Sequence, residues 1–322
     1  MKAIAQDRYG SADVLALQEV DRPVVGDDQV LVRVRAAAVN ALDWHFMRGA
    51  PYMVRPMLGW RRPKVRVRGV DVAGRVEAVG KDVRAFQPGD DVFGWCNGAF
   101  AEFACASEDH FVLKPSDLTF EQAAAVPLAA MTALQGIRDS GRVEAGHRVL
   151  IVGASGGVGT FAVQIAKSLG AEVTGVCSTR NAELVRSIGA DHVVDYTRDD
   201  VTRSSERFDV IFELAGTATP GAYRRLLTPT GTLVMSSGDG GRWLGPLGRM
   251  LKAKIANPFV SQSMSFLSAV ENHADLVVLK TMLESGAIRP VIDRTYSLSQ
   301  ATDAIRHVDA GHTQGKTVIT VA

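Results

Sequence analysis

Read for polarity alone, the chain changes rhythm near residue 120. Before that point, short β-type runs are broken by turn signals: "VLVRVRAAAVN" (30–40), "VAGRVEAVG" (72–80), "QPGDDVFG" (87–94) and "AEFACAS" (101–107). Val30, Val32 and Val34 alternate with Leu31, Arg33 and Arg35, the pattern of a strand with one wetter face. Many short strands with glycine turns predict a β-rich, barrel-like domain. Beyond residue 120, strand and helix alternate. "FEQAAAVPLAAMTALQGIRDSG" (120–141) predicts helical segments interrupted around Pro127. "RVLIVGA" predicts a short buried strand. "GTFAVQIAKSLGA" predicts a helix with Phe161, Ile165 and Leu169 on one face and Gly170 as its stop signal. Strand "EVTGV", helix "AELVRSIGA", strands "HVVDY" and "FDVIFELAG", helix "TPGAYRRLL" and strand "GTLVMSSG" follow. Short apolar strands alternating with helices predict an α/β fold with a parallel, doubly wound sheet.

From about residue 287 the pattern turns β-like again, with "PVIDRTYSL", a helix "SQATDAIRHVDAG" and "GKTVITVA". A segment of about 35 residues is too short to hold its own core, so it is expected to return to the first domain. The predicted organisation is residues 1–122 with 287–322 as one domain, and 123–286 as a doubly wound domain. There is no internal repeat and no low-complexity linker.

Composition narrows the function classes. Of 322 residues, 46% are hydrophobic, enough for a large core. Basic and acidic side chains number 36 and 35, so no global charge pulls toward nucleic acid or a membrane surface. The opening "MKAIAQDRYG" lacks the apolar core of a signal peptide, and no stretch approaches the ~20 apolar residues of a membrane span. A soluble cytoplasmic protein is expected. Cys96, Cys105 and Cys177 are too few and too far apart for a disulfide framework or a four-ligand zinc cluster, and read as reduced thiols.

"RVLIVGASGGVGTFAVQIAK" carries the strongest local signal. Gly153, Ser155, Gly156, Gly157, Val158 and Gly159 lie directly after a strand and directly before a helix. Glycine there lets the backbone approach a pyrophosphate, and the free N–H groups at the helix start favour the anion. The spacing is G-x-x-G-G-x-G rather than strict G-x-G-x-x-G. No G-x-x-x-x-G-K-[ST] is present, so this is not an NTP-hydrolysing loop. A dinucleotide site for NAD usually places Asp or Glu at the end of the second strand. Here that strand ends in Cys177, Ser178, Thr179 and Arg180, with no carboxylate at that point of the sequence. Two hydroxyls and a guanidinium suit a 2′-phosphate, which predicts NADPH. The bland alternative is that Arg180 starts the next helix in solvent. Tyr196, at the end of the third strand, can lie over the same region or be an ordinary strand-end tyrosine.

With these motifs placed, the sequence resembles the medium-chain dehydrogenase/reductase superfamily, and within it the zinc-free quinone oxidoreductase branch that includes zeta-crystallin. The resemblance spans essentially the whole chain. It rests on "AAAVNALDWHFMRG" (36–49), "RGVDVAGRVEAVG" (68–80), "FQPGDDVFG" (86–94), "GAFAEF" (98–103), "AAAVPLAAMTAL" (123–134), "GASGGVGTFAVQIAK" (153–167) and "GKTVITV" (315–321). It implies a GroES-like β-barrel catalytic domain built from both chain ends, a Rossmann domain inserted between them, and an active site in the cleft. A zinc-dependent relative carries Cys where this chain has Asn40, and a His-Glu pair near Val70 and Asp71. Asn40 is a poor zinc ligand and Val70 is none, so no metal is expected.

The resemblance places the V-N-x-x-D motif, Asn40 and Asp43, beside the nicotinamide. Asn40 can donate an amide N–H to a carbonyl, with Asp43 as an orienter. Equally, both can cap the following helix. His45 and Tyr52 are candidate proton donors or pocket walls. His45 stands where the quinone reductase relatives often have Tyr, which puts proton donation there in doubt. By resemblance, Thr132, Ala215, Gly216, Ser236, Ser237 and Gly238 touch the cofactor, and Lys316 reaches its nicotinamide end or is a solvated strand-end lysine. "RRPKVRVR" (61–68) puts Lys64, Arg66 and Arg68 on one face of a would-be strand, to steer an anion or simply to face solvent. In "GRWLGPLGRMLKAKIANPFV" (241–260), Trp243, Leu244, Leu247 and Phe259 can roof a hydrophobic cleft or form a surface helix. "SQSMSF" (261–266) reads as the sheet's edge strand, and its pairing across two subunits predicts a homodimer. The expected activity is NADPH-dependent reduction of hydrophobic quinones or α,β-unsaturated carbonyls without zinc. The rivals are an NADPH-binding redox sensor or RNA-binding protein with little turnover, and a ketone/alcohol dehydrogenase.

Overall fold

The computed structural model describes residues 1–216, 218–236, 261–311 and 313–322. The chain divides into two compact units: Met1–Met131 with Glu271–Gly286 and Pro290–Ala322, and Thr132–Val270 with Ala287–Arg289. The sequence boundary at 122/123 therefore falls short. Helices α3 (Phe120–Ala124) and α4 (Pro127–Leu134) break just before Pro127, as expected of a proline at a helix start. The buried small face of α3, Ala123 and Ala124, lies against strands of the first unit. Residues 271–286 also belong to that unit rather than to the second. They hold helix α8 (His273–Glu284), which packs on β7 (Phe111–Leu113).

The first unit is built on a mostly antiparallel sheet. β3 (Gln29–Val39) is central, with β4 (Asp71–Val79), β5 (Asp91–Trp95) and β7 running outward on one side. β15 (Lys316–Thr320) and β14 (Ile292–Ser297) lie on the other side, and β6 (Phe103–Ser107) also pairs with β3. The late segment does return to the first domain: Thr317 to Thr320 of β15 pair antiparallel with Val39 to Ala36 of β3. β1 (Lys2–Ala5) and β2 (Ala16–Glu19) form a separate hairpin. The predicted alternation in β3 holds for Val30, Val32 and Val34, which are buried, and for Arg33 and Arg35, which are exposed. Leu31 departs from it and is buried, at a point where the register with β4 shifts. Helix α1 (Ala41–Arg48) leaves the end of β3 directly.

The second unit carries a parallel sheet in the order β10 (His192–Asp195), β9 (Glu172–Cys177), β8 (Arg148–Val152), β11 (Phe208–Glu213), β12 (Leu227–Met235) and β13 (Ser263–Phe266). Val149 to Val152 are all buried, as a central strand covered on both faces requires. β13 ends the described sheet, where the sequence places an edge strand. α5 (Gly157–Ser168) buries Phe161 and Ile165 completely. Leu169, expected on the same face, is 37% exposed because the helix has already ended and Gly170 (φ +82°) turns the chain away. The remaining helices of this unit include α6 (Ala182–Ser187) and α7 (Pro220–Arg224). Among the described residues no helix is long and apolar enough to cross a membrane.

Candidate functional site

The register of three neighbouring strands decides the first cluster. Asn40 follows the last residue of β3, Asp71 opens β4 opposite Ala38, and Lys316 opens β15 one place before Thr317, which pairs with Val39. All three side chains are buried. Lys316 Nζ donates to Asn40 Oδ1 and lies 3.2 Å from Asp71 Oδ2. Asn40 Nδ2 donates to Asp71 Oδ2 at 2.9 Å and to the Ala38 carbonyl at 3.4 Å. Asp71 Oδ1 accepts the Leu128 backbone N–H at 3.0 Å, at the N-terminus of α4, where a carboxylate is favoured.

These bonds change the roles read from the sequence. The Asn40 amide gives its N–H groups to Asp71 and Ala38 rather than holding them out for a substrate carbonyl. Lys316 is not a solvated strand-end lysine: it is buried and is the counter-charge of Asp71. Asp71 had no place among the sequence candidates. Its only signal was a lone carboxylate inside the apolar run "GVDVAG".

Asp43 sits one turn into α1, fully enclosed. Its Oδ2 accepts the Asn40 backbone N–H at 2.8 Å, and its own N–H donates to the Asn40 carbonyl. The capping alternative is thus realised at Asp43. Burial pushes its carboxyl up to about 7, and the nearby Asp71 charge acts the same way. The Asn40 N–H, Lys316 and Arg68 pull against them. His45 is exposed on α1 with Nδ1 3.2 Å from the Ala50 carbonyl. Tyr52 opens a short 3₁₀ turn ahead of α2 (Arg55–Leu58), and the Arg55 guanidinium lies 4.3 Å from its ring centroid.

In the second unit the glycine turn is built by close approach. Gly153 has φ +90°, and its carbonyl accepts the Gly156 N–H at 3.1 Å. A Cβ on Gly159 would stand 2.1 Å from that same carbonyl oxygen. Gly156 is the N-cap of α5, and the first-turn N–H groups of Gly157, Val158 and Gly159 have no carbonyl four residues earlier within the helix. The buried Ser155 hydroxyl accepts from Asn181 Nδ2 at 2.8 Å, which ties the turn to the end of β9. Ala215 joins the same place: a Cβ on Gly153 would approach its Cβ to 2.9 Å. Gly216 follows Ala215, Ser236 bonds its N–H to the Glu213 carbonyl, and Thr132 is buried in α4. Ser237, Gly238, Trp243, Leu244, Leu247 and Phe259 lie outside the described residues.

At the tip of β9, Ser178 is half-buried, and Thr179 and Arg180 are exposed. Tyr196 is brought to them by its N–H bond to the Cys177 carbonyl, and its side chain is 60% exposed. A carboxylate is present here after all. Asp195, the last residue of β10, pairs opposite Cys177 and accepts from the Thr179 hydroxyl. Sequence distance hid it, because it comes from the next strand. Thr197 and Arg198 also hold Asp195, and its carboxyl is kept below the usual range chiefly by the Thr179 hydroxyl.

An anion cradle at the head of a parallel sheet and a buried Asn-Asp-Lys cluster on a separate β unit define a dinucleotide-dependent oxidoreductase architecture. Two family descriptions match the chain: an alcohol dehydrogenase GroES-like domain over residues 26–116 and a zinc-binding dehydrogenase over 188–319. The mitochondrial NAD(P)H oxidoreductase RTN4IP1 of Mus musculus is 34% identical over 358 residues, covering 100% of this chain and 89% of that protein. The 2-methylene-furan-3-one reductase of Solanum lycopersicum is 32% identical, covering 99% of this chain and 79% of that protein. The quinone oxidoreductase structure from Coxiella burnetii superimposes with a TM-score of 0.88 at 29% identity, covering 100% of this chain and 99% of that one. The chain belongs to the medium-chain dehydrogenase/reductase superfamily, in its zinc-free quinone oxidoreductase-like branch. RTN4IP1 is named as mitochondrial, which gives the cytoplasmic expectation no support.

Two outcomes follow from the cluster. Lys316→Ala leaves the Asp71 carboxylate buried without its cation and should cost about 3–5 kcal/mol in urea unfolding; a loss below about 1 kcal/mol would show the pair to be dispensable. Between about pH 4 and pH 7, folded Asp43 holds a proton that the unfolded chain has released. The Asp43 contribution to stability should therefore be fully present below about pH 4, be lost as pH rises to about 7 and stay absent above it, on the order of 4 kcal/mol in total. Asp43→Asn keeps an acceptor for the Asn40 N–H and should remove most of that slope in denaturant titrations run at several pH values.

Proposed function

We propose that this protein is an NADPH-dependent reductase that adds hydride to quinones or α,β-unsaturated carbonyls without zinc. The observation that carries the reading is the placement of Lys316 between Asn40 and Asp71. In zinc-dependent relatives the corresponding positions hold metal ligands. Here they offer a carboxamide, the alkyl side chain of Val70 and a carboxylate already engaged by Lys316, Asn40 and Leu128. A second cation beside a buried ammonium is repelled, and an amide with an alkyl group makes a poor donor set. Zinc does not fit, and no step runs through it.

A nicotinamide cofactor does fit the glycine turn, and when bound it supplies the hydride. The first-turn N–H groups of α5 favour its pyrophosphate, and Ser155 with Asn181 fixes the loop that presents them. Ser178 and Arg180 suit a 2′-phosphate, with Tyr196 alongside. The enone or quinone reading suits a site without a Lewis acid, because the charge that develops on reduction is delocalised over the acceptor. Asp43, whose carboxyl burial raises to about 7, is a candidate to give a proton to the acceptor oxygen or carbon. Asp195 favours a second reading, NADH, in which its carboxylate accepts from the ribose 2′-hydroxyl.

The test is NADPH oxidation at 340 nm by EDTA-treated protein with 9,10-phenanthrenequinone and with a simple enone. Turnover that survives the chelator is expected, with Asp43→Asn lowering kcat/KM about a hundredfold. NADPH binding without turnover of either acceptor would favour a sensor over an enzyme. Arg180→Ala should erode most of an about hundredfold preference for NADPH over NADH; an unchanged ratio would transfer the adenosine end to Asp195.

A further inference from the structure

The basic run at 61–68 does not form the strand its alternation predicts. Only Val67 pairs, as an isolated bridge to Ala5. Arg66 is exposed and salt-bridged to Asp7 at 2.7 Å, and Lys64 is exposed. Arg68 differs. Its N–H donates to the Ile4 carbonyl and its carbonyl accepts from Phe100, which turns the side chain inward. The residue is only 6% exposed. Its Nε is enclosed without a hydrogen-bond partner, and among the described residues no ion pair engages the guanidinium.

A buried arginine with no hydrogen bond and no close ion pair is unusual, because desolvating a charge is costly unless something pairs with it; among the described residues only the more distant Asp43 carboxyl and Tyr9 act on its charge. Arg68 lines a cavity of about 170 Å³ inside the first unit. Phe46, Leu58, Val67 and Val70 supply apolar wall, and the exposed Lys64 and Asn97 also line it. Asp43 lines the same cavity, its carboxyl raised to about 7 by burial, so a second anion there meets only part of a negative charge. Tyr9 also lines it, with its hydroxyl already given to the Gly59 carbonyl at 2.7 Å. For scale, an apolar cavity of about 150 Å³ is enough to admit benzene.

We infer that this cavity is a binding subsite for a monocarboxylate on a flat aromatic or unsaturated stem, with Arg68 as its specificity-determining residue. Guanidinium binds carboxylate through two parallel N–H···O bonds, which would satisfy the donors the fold leaves open. The apolar wall takes the stem, and Lys64 draws the anion toward the cavity. Because Asp43 belongs to both sites, the carboxylate is the acceptor's own, so the enzyme selects acidic enones or quinones. That last step rests on the reductase reading; the binding site does not.

The two are separated by titrating benzoate and benzamide calorimetrically into cofactor-free protein. Benzoate should bind at least tenfold more tightly than its uncharged isostere. Arg68→Met, which exchanges an unpaired buried charge for an apolar side chain of similar reach, should bring the two within about twofold. Equal binding of the pair, no binding of benzoate, or an unchanged preference in Arg68→Met overturns the subsite. Should that variant not fold, crystals of the natural protein soaked in benzoate decide, with the carboxylate on Arg68 expected and any other sole position contrary. Turnover is then compared for 3-benzoylacrylate and its amide with NADPH. At least tenfold higher kcat/KM for the acid supports the acceptor assignment. Equal values confine the site to binding, and benzoate binding with no turnover of either enone leaves the subsite standing while removing the reductase reading.

Discussion

The first unit depends on one buried ion pair. Lys316 and Asp71 are both inside, and taking two charges out of water is expensive unless the remaining donors and acceptors are met. Here they are met by position. Three adjacent strands end at one level, so the ammonium, the carboxylate and the Asn40 amide arrive together without any side chain having to stretch. The same carboxylate also receives the first turn of α4. With Asn40 held, α1 starts in a fixed direction and carries Asp43 into an enclosure where its carboxyl resists ionisation.

The second unit solves the opposite problem. Its turn must leave space rather than fill it. At Gly159 the backbone approaches the Gly153 carbonyl so closely that a side chain has no room, and the Ser155–Asn181 bond replaces packing as the brace. One unit places charge where water is absent. The other exposes backbone N–H groups where an anion can reach them.

Much of the fold was legible because it rests on local rules. The buried run Val149–Val152, the break at Pro127 and the stop at Gly170 follow from periodicity and backbone chemistry. The glycine turn was legible for the same reason. What the sequence hid came from register between distant strands. Asp195 lies next to Thr179 only because β10 pairs with β9, and Lys316 meets Asn40 only because β15 pairs with β3. Arg68 looked like one of three cations on an exposed strand face, there to steer an anion or simply to meet solvent, since alternation assumes a strand. The irregular path that follows the Ala5–Val67 bridge turns it inward instead. Leu169 erred in the other direction, because helical periodicity continues past the point where the helix stops.

The ammonium that neutralises Asp71 lies 245 residues further along the chain, and 276 beyond Asn40. During synthesis the ribosome delivers the acid and the amide long before their cation. The early strands must therefore wait, with a carboxylate pointing toward their nascent core, while the entire nucleotide-binding unit emerges. β15 then enters between β14 and β3 and supplies the missing charge. Closure of such a distant pairing is slow in kinetic terms. The Lys316–Asp71 pair can close only once the last strand has emerged, so the protonatable pocket at Asp43 acquires its electrostatic setting only at that final step.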